Sequence, residues 1–265
     1  MEENDFAHPE KKRKLSCKSA WEQIIDLENK QWKDLLSLNY NSKVECIYNP
    51  LEYAKEPHVN FVKTYCGGEK KVLLLGMNPG PWGMCQTGVP FGEVDHVKNW
   101  LNIDGKVERP SKELGQKPIH GFECTRSEVS GNRMWSLLKE LSGDPKTLFE
   151  KVFIHNYCPL AFLSKTGKNI TPVELPVEER KSLEEICDKY LIQVIELLKV
   201  EFLVCIGNYV SQRSQKALKR SGVIGVQVST LMHPSPINPK ANKGWKQIAI
   251  KQLQEANVLE YFRVS

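Results

Sequence analysis

The sequence predicts an α/β fold: a three-layer α/β/α sandwich with a central four-stranded parallel sheet. Two observations predict it. Short apolar runs at 71–77, 152–157, 202–207 and 226–231 are each bounded by charged or turn residues. Amphipathic helical patterns lie between them, at 129–141, 176–198 and 208–220. Strands apolar on both faces must be covered on both, and helical crossovers between them make the pairing parallel.

Residues 1–17 are polar and lack hydrophobic periodicity, which predicts a disordered arm. The arm holds Lys11-Lys12-Arg13-Lys14, a basic run of the nuclear-localisation kind, so a nuclear location is expected. One domain is expected over 18–265. It opens with a helix from Ser19, which forms a capping box with Glu22. Trp21, Ile24, Ile25, Trp32, Leu35 and Leu36 keep helical spacing, and Glu28 alone breaks the stripe. The Pro- and Gly-rich tracts at 79–92, 109–121 and 234–239 are too short for interdomain linkers. A last helix is expected at 244–256.

Composition narrows the function. The 265 residues are 40% hydrophobic and 26% charged, as in ordinary soluble globular proteins. No long uncharged apolar run predicts a membrane helix, and residues 1–9 lack the apolar core of a secretory signal. The eight cysteines form no C-x-x-C pair, so reduced thiols in a core are expected rather than a zinc or iron–sulfur site. The net charge is +5, but 202–254 contains no Asp or Glu and eight bases: Arg213, Lys216, Lys219, Arg220, Lys240, Lys243, Lys246 and Lys251. Such a concentration points to a polyanion such as nucleic acid, the competing reading being a solvated basic face.

In open parallel sheets ligands bind beyond the carboxyl ends of the strands, and the unusual sequences fall there. Run 71–77 leads into Asn78-Pro79-Gly80-Pro81-Trp82-Gly83-Met84. Asn78 can orient a water but has no basic pKa near neutrality; alone, it also reads as a turn asparagine. Phe91, held between Pro90 and Gly92, is a stacking platform or a core anchor. Asn156 ends the second run; its amide can read the imide edge of a pyrimidine or bond a neighbouring loop. His233 opens His-Pro-Ser-Pro, and a neutral imidazole there can donate to developing negative charge. Walker A, G-x-G-x-x-G, H-E-x-x-H, G-x-S-x-G and zinc-deaminase signatures are all missing.

These segments together, with 127–131 and 241–245, resemble the single-strand-selective monofunctional uracil-DNA glycosylases of the uracil-DNA glycosylase superfamily, from about Trp21 to about Ala256. The resemblance implies excision of uracil and oxidised uracils, notably 5-hydroxymethyluracil, from single- and double-stranded DNA, by a monomer with no cofactor, metal or membrane partner. It implies that Asn78 positions water and His233 is the catalytic histidine. Phe91 would stack on the base and Asn156 would read it. Gly80 and Met84 would lie beside the C5 substituent, and Met77 would make a backbone contact to the base. The loop 234–243, including Pro234, Ser235, Pro236, Ile237, Asn238, Lys240, Asn242 and Lys243, would wedge into the duplex. Segment 166–180, with Thr166, Lys168 and Asn169, would touch DNA as well. The vertebrate-like wedge has Arg where this chain has Ile237, which can act as an apolar wedge or pack beneath the loop. The alternatives are a mismatch-specific glycosylase, disfavoured by the His-Pro-Ser-Pro form, a silent binder of damaged DNA, disfavoured by retention of Asn78 and His233, and a nucleoside hydrolase, disfavoured by the acid-free stretch.

Overall fold

The computed structural model describes residues 18–40 and 43–263; the arm expected at 1–17, with its basic run, lies outside them. In chain order the elements begin with α1 (Ala20–Leu36), β1 (Cys46–Tyr48), α2 (Pro50–Tyr53), α3 (Lys55–Tyr65) and β2 (Val72–Gly76). Then come α4 (Met84–Thr87), α5 (Val94–Asn99), α6 (Val129–Ser142), α7 (Pro145–Lys151), β3 (Val152–Asn156), β4 (Ala161–Leu163) and β5 (Asn169–Ile170). The chain continues through α8 (Val177–Leu198), β6 (Phe202–Ile206), α9 (Asn208–Ser221), β7 (Gln227–Leu231) and α10 (Trp245–Glu255). The capping box of α1 forms as its sequence predicts, with the Ser19 N–H and O–H both donating to Glu22 Oε2 at 2.8 and 2.6 Å.

The four apolar runs pair in parallel in the order β3-β2-β6-β7, with Leu74 level with Ile154 and Val204. Helices α1, α8 and α9 pack together as one layer, and α6, α7 and α10 as the other. All of β2 and β3 is buried between them, the apolar residues of both and the polar His155 and Asn156 that end β3. β7 departs from the expected buried strand. It lies at the sheet edge, where only Leu231 is buried and Val228, Ser229 and Thr230 are half-buried. The chain leaves β2 toward β3 on one side and returns to β6 and β7 on the other. This reversal opens a crevice at the carboxyl ends.

A second sheet, antiparallel in the order β1-β4-β5, escaped the sequence reading because its strands are two or three residues long. It carries the 164–169 hairpin to the crevice. The seven cysteines among the described residues are buried and outside disulfides. No helix among the described residues is long and apolar enough to cross a membrane.

Candidate active site

One cavity of about 410 Å³ opens at the carboxyl end of the parallel sheet, within the size range of small-ligand sites. Met77, Asn78, Gly80 and Met84 line it from the turn after β2, Phe91 from the loop before α5, and Asn156 from the end of β3. His233, Ser235 and Ile237 close it from the loop after β7, while Lys168 and Asn169 reach it from the β4–β5 hairpin. Every residue expected to bind or act on a base is therefore in one place.

The floor depends on Gly76. A Cβ there would lie 2.3 Å from Asn156 Oδ1 and 2.7 Å from Phe91 Cε2, so only glycine lets both side chains approach. Asn156 is buried and donates to the Met84 sulfur at 3.0 Å, a weak acceptor that leaves the amide oxygen available to a ligand. Phe91 adopts φ 54°, a left-handed conformation uncommon outside glycine. Its carbonyl is fixed by the Trp135 indole N–H at 2.9 Å and the Glu93 amide at 2.7 Å. Gly131 admits that carbonyl, which would lie 2.2 Å from any Cβ at that position. Behind this loop, His58 bonds Gly88 O at 2.8 Å through Nδ1 and Glu28 Oε2 at 2.7 Å through Nε2. Both partners are acceptors, so the ring donates twice and is an imidazolium.

His233 has the opposite charge state. The Ser235 backbone N–H donates to its Nδ1 at 3.1 Å, which assigns the ring proton to Nε2. Burial pulls the imidazole down to about 4. The Phe91 ring centroid lies 6.2 Å away. A planar heterocycle against Phe91 thus meets a neutral N–H donor and the Asn156 amide in one pocket. Asn78 stands just past the strand end, where its amide donates a long 3.4 Å bond to Pro79 O.

The 234–243 loop is braced from α6. Arg133 donates to Pro234 O at 2.8 Å and Asn242 Oδ1 at 2.9 Å, and Asn242 donates to Pro236 O at 2.8 Å. Ile237 stands 90% exposed on this frame, which removes the reading that it packs beneath the loop. Pro234 is buried, so it shapes the loop and offers DNA no surface. Pro236, Lys240, Asn242 and Lys243 are exposed, and Asn238 is half-buried with Oδ1 accepting from the Lys240 amide. Thr166 sits away from the cavity lining at the hairpin tip, sharing a hydroxyl bond with Ser164 at 3.0 Å. Lys168 is ion-paired with Glu174 at 2.6 Å, and Asn169 Oδ1 is buried with no hydrogen-bond partner among the described residues.

The sequence reading missed Glu128 as a cavity residue. Its Oε2 lies 2.7 Å from where a Gly80 Cβ would stand, so the absent side chain makes room for this carboxyl. Burial raises its pKa, against the Trp82 amide and Lys117. The only signal was its place in the 127–131 segment. Among the described residues no cluster of His, Cys, Asp or Glu is arranged to hold a metal ion.

Residues 62–254 match the family model described as the uracil DNA glycosylase superfamily. The chain is 46% identical over 244 residues to the single-strand selective monofunctional uracil-DNA glycosylase of Rattus norvegicus, covering 92% of this chain and 87% of that protein. It is also 46% identical to the Bos taurus protein of that name over 244 residues, covering 92% and 89%. The crystal structure of wild-type Pedobacter heparinus SMUG2 superposes with a TM-score of 0.65 at 18% identity, over 92% of this chain and 99% of that one, a likeness of fold.

Proposed function

Since this chain belongs to the uracil-DNA glycosylase superfamily, we propose that it is a monofunctional uracil-DNA glycosylase of base-excision repair. It hydrolyses the N-glycosidic bond of uracil, and of uracils oxidised at C5 such as 5-hydroxymethyluracil, in single- and double-stranded DNA. The observation that carries this reading is the neutral, Nε2-protonated His233 in the same cavity as Asn156 and Phe91.

A base in a duplex must be extruded before its sugar bond can be reached. Phe91 stacks on the extruded ring and Asn156 reads N3–H and O4. His233 Nε2–H donates to O2 as the bond breaks and negative charge collects there. Asn78 holds the water that captures the oxocarbenium sugar. Such a cation needs little general-base help, so an amide suffices. The lysine that lines the cavity, Lys168, is held by Glu174. No free amine then forms a covalent link to the sugar, and the product is an abasic site with an intact strand. Gly80 leaves the C5 side open, with the Glu128 carboxyl as a polar neighbour for an oxidised substituent.

The cavity is built from one chain, which supports action as a monomer. The basic run at 11–14 supports a nuclear location. The test is incubation with oligonucleotides carrying uracil, 5-hydroxymethyluracil, thymine or cytosine, single- and double-stranded, followed by alkali. Breaks at uracil and 5-hydroxymethyluracil after alkali alone are expected. Breaks before alkali, or none at uracil, reject the reading.

A further inference from the structure

Trp82 lies between two residues that line the cavity, Pro81 and Gly83. Two cations stand over its ring: Lys117 Nζ is 4.6 Å and the Arg126 guanidinium carbon 4.5 Å from the ring centroid. Among the described residues neither cation has a carboxylate within 4.0 Å, unlike Lys112, Lys168 and Lys246. Like charges gathered on one ring repel, and Lys117 is pulled below its usual value by burial and then by Arg126. The Glu128 carboxyl acts on Lys117 in the other direction, but among the described residues it forms no ion pair with either cation.

It is also built. Gln86 is fully buried, and its Nε2 donates to Pro81 O and Pro118 O, both at 3.0 Å. Its Oε1 accepts the His120 amide at 2.9 Å. One amide thereby ties the turn carrying Trp82 to the strap carrying Lys117. The hydroxyl of fully buried Tyr48 donates to Lys117 O at 2.7 Å and fixes the strap again. Arg126 sits two residues before Glu128, which lines the same cavity. The ring and the guanidinium are thus carried by segments whose neighbouring residues line the cavity, and these segments are distinct from the 234–243 loop.

We propose that Trp82, Lys117 and Arg126 form a phosphate seat that takes one backbone phosphodiester of the DNA strand beside the extruded nucleotide. The guanidinium offers paired N–H donors and the ammonium a point charge, while the ring holds both stems in place. The strand is then gripped at the rim on this side as well as by the wedge loop. This assignment rests on the glycosylase reading for the presence of the strand.

The test uses Lys117→Gln and Arg126→Gln, which remove charge but keep side chains over the ring. Binding of a short single strand is measured against salt. The double variant is expected to reduce the slope of log K against log salt by about 0.7, the share of one phosphate contact, and each single variant by a part of it. Uncharged methylphosphonates are then placed one position at a time. In the wild-type protein one position beside the uracil should weaken binding, and in the double variant that penalty should vanish. An unchanged slope, or a scan identical in both proteins, overturns the seat. Loss of binding in Trp82→Ala with none in the two Gln variants also overturns it, in favour of base stacking on the ring. Uracil excision by the wild-type protein is the separate readout. No excision with slope and scan as expected would reject the glycosylase reading and leave the phosphate seat standing.

Discussion

His233 owes its chemistry to one backbone amide and to burial. The Ser235 N–H occupies Nδ1, and the buried ring stays neutral down to about pH 4. A neutral donor is suited to an oxygen that becomes anionic, because no charge must be neutralised beforehand. His233→Ala should slow single-turnover excision by about 10²–10³-fold with unfolding temperature retained. Asn78→Ala should cost at least about 10²-fold if Asn78 holds the attacking water as proposed. The protonated imidazole appears only below about pH 4, so no rate inflection near 6.5 should arise from His233. A wild-type inflection there, absent in His233→Ala, would mean that the ring acts as a cation.

The loop after β7 is an element held by its neighbour rather than by its own sequence. Its prolines stiffen it, but Arg133 on α6 sets its position through Pro234 O and Asn242 Oδ1. Ile237 is left exposed at the cavity edge, as a wedge that fills the gap behind a flipped base must be. Ile237→Ala should slow excision from duplex uracil much more than from single-stranded uracil, where no stack needs filling. Arg133→Ala should show the same bias, because the proposed wedge would then be present but unbraced. Ile237→Arg should keep or raise duplex activity. Single-turnover rates on matched strands decide these cases, and equal losses on both substrates would assign the loop a structural role.

Across the whole molecule, charge is redistributed by folding. Of the eight bases in the acid-free stretch, Arg213 is buried against Glu184 at 2.8 Å and Asp188 at 2.5 Å. Arg220 lies 3.6 Å from Asp188, Lys251 3.7 Å from Glu255, and Lys246 pairs with Glu140. Lys216, Lys219, Lys240 and Lys243 have no such partner among the described residues and remain free for phosphate. Arg213→Ala should destabilise the fold by about 3–5 kcal/mol, because two buried carboxylates lose their cation, and should leave the salt slope of DNA binding unchanged. Lys240→Ala with Lys243→Ala should do the reverse, weakening DNA and flattening the slope. A second buried pair gives a pH signature. Burial pushes the Glu28 carboxyl up, but His58 and His155 outweigh it and hold it at about 2, below its ordinary 4.5. Burial also opposes the His58 charge, yet Glu28 raises it above 6.5. The Glu28 contribution is full above pH 4.5 and is lost as pH falls toward 2. The His58 contribution is full below 6.5 and is lost as pH rises through its higher folded value. Glu28→Gln should therefore cost most between pH 4.5 and 6.5, about 3–5 kcal/mol in chemical denaturation, and less on either side.

Local information was enough for much of this protein. Apolar runs with helical crossovers specify a buried parallel sheet, because a strand without a polar face has no other solution. Ser19 and Glu22 specify the start of α1, because a cap needs only a neighbour three residues away. The strand-end asparagines and His233 were legible as candidates because their odd residue types stand at carboxyl ends, and Phe91 because a loop stiffened by glycine and proline holds it. Tertiary structure alone decided the rest. Glu28 breaks a helical stripe in sequence, and only the arrival of His58 and His155 turns that defect into a buried ion pair behind the Phe91 loop. Glu128 became a cavity residue because Gly80, far back in the chain, leaves room for it. The strands of the small sheet are too short to carry a period, and β1 finds its partner β4 more than a hundred residues away. The charge of Arg213, the tautomer of His233 and the exposure of Ile237 likewise depend on which atoms lie next to them in space. Periodicity and residue type do not encode those neighbours.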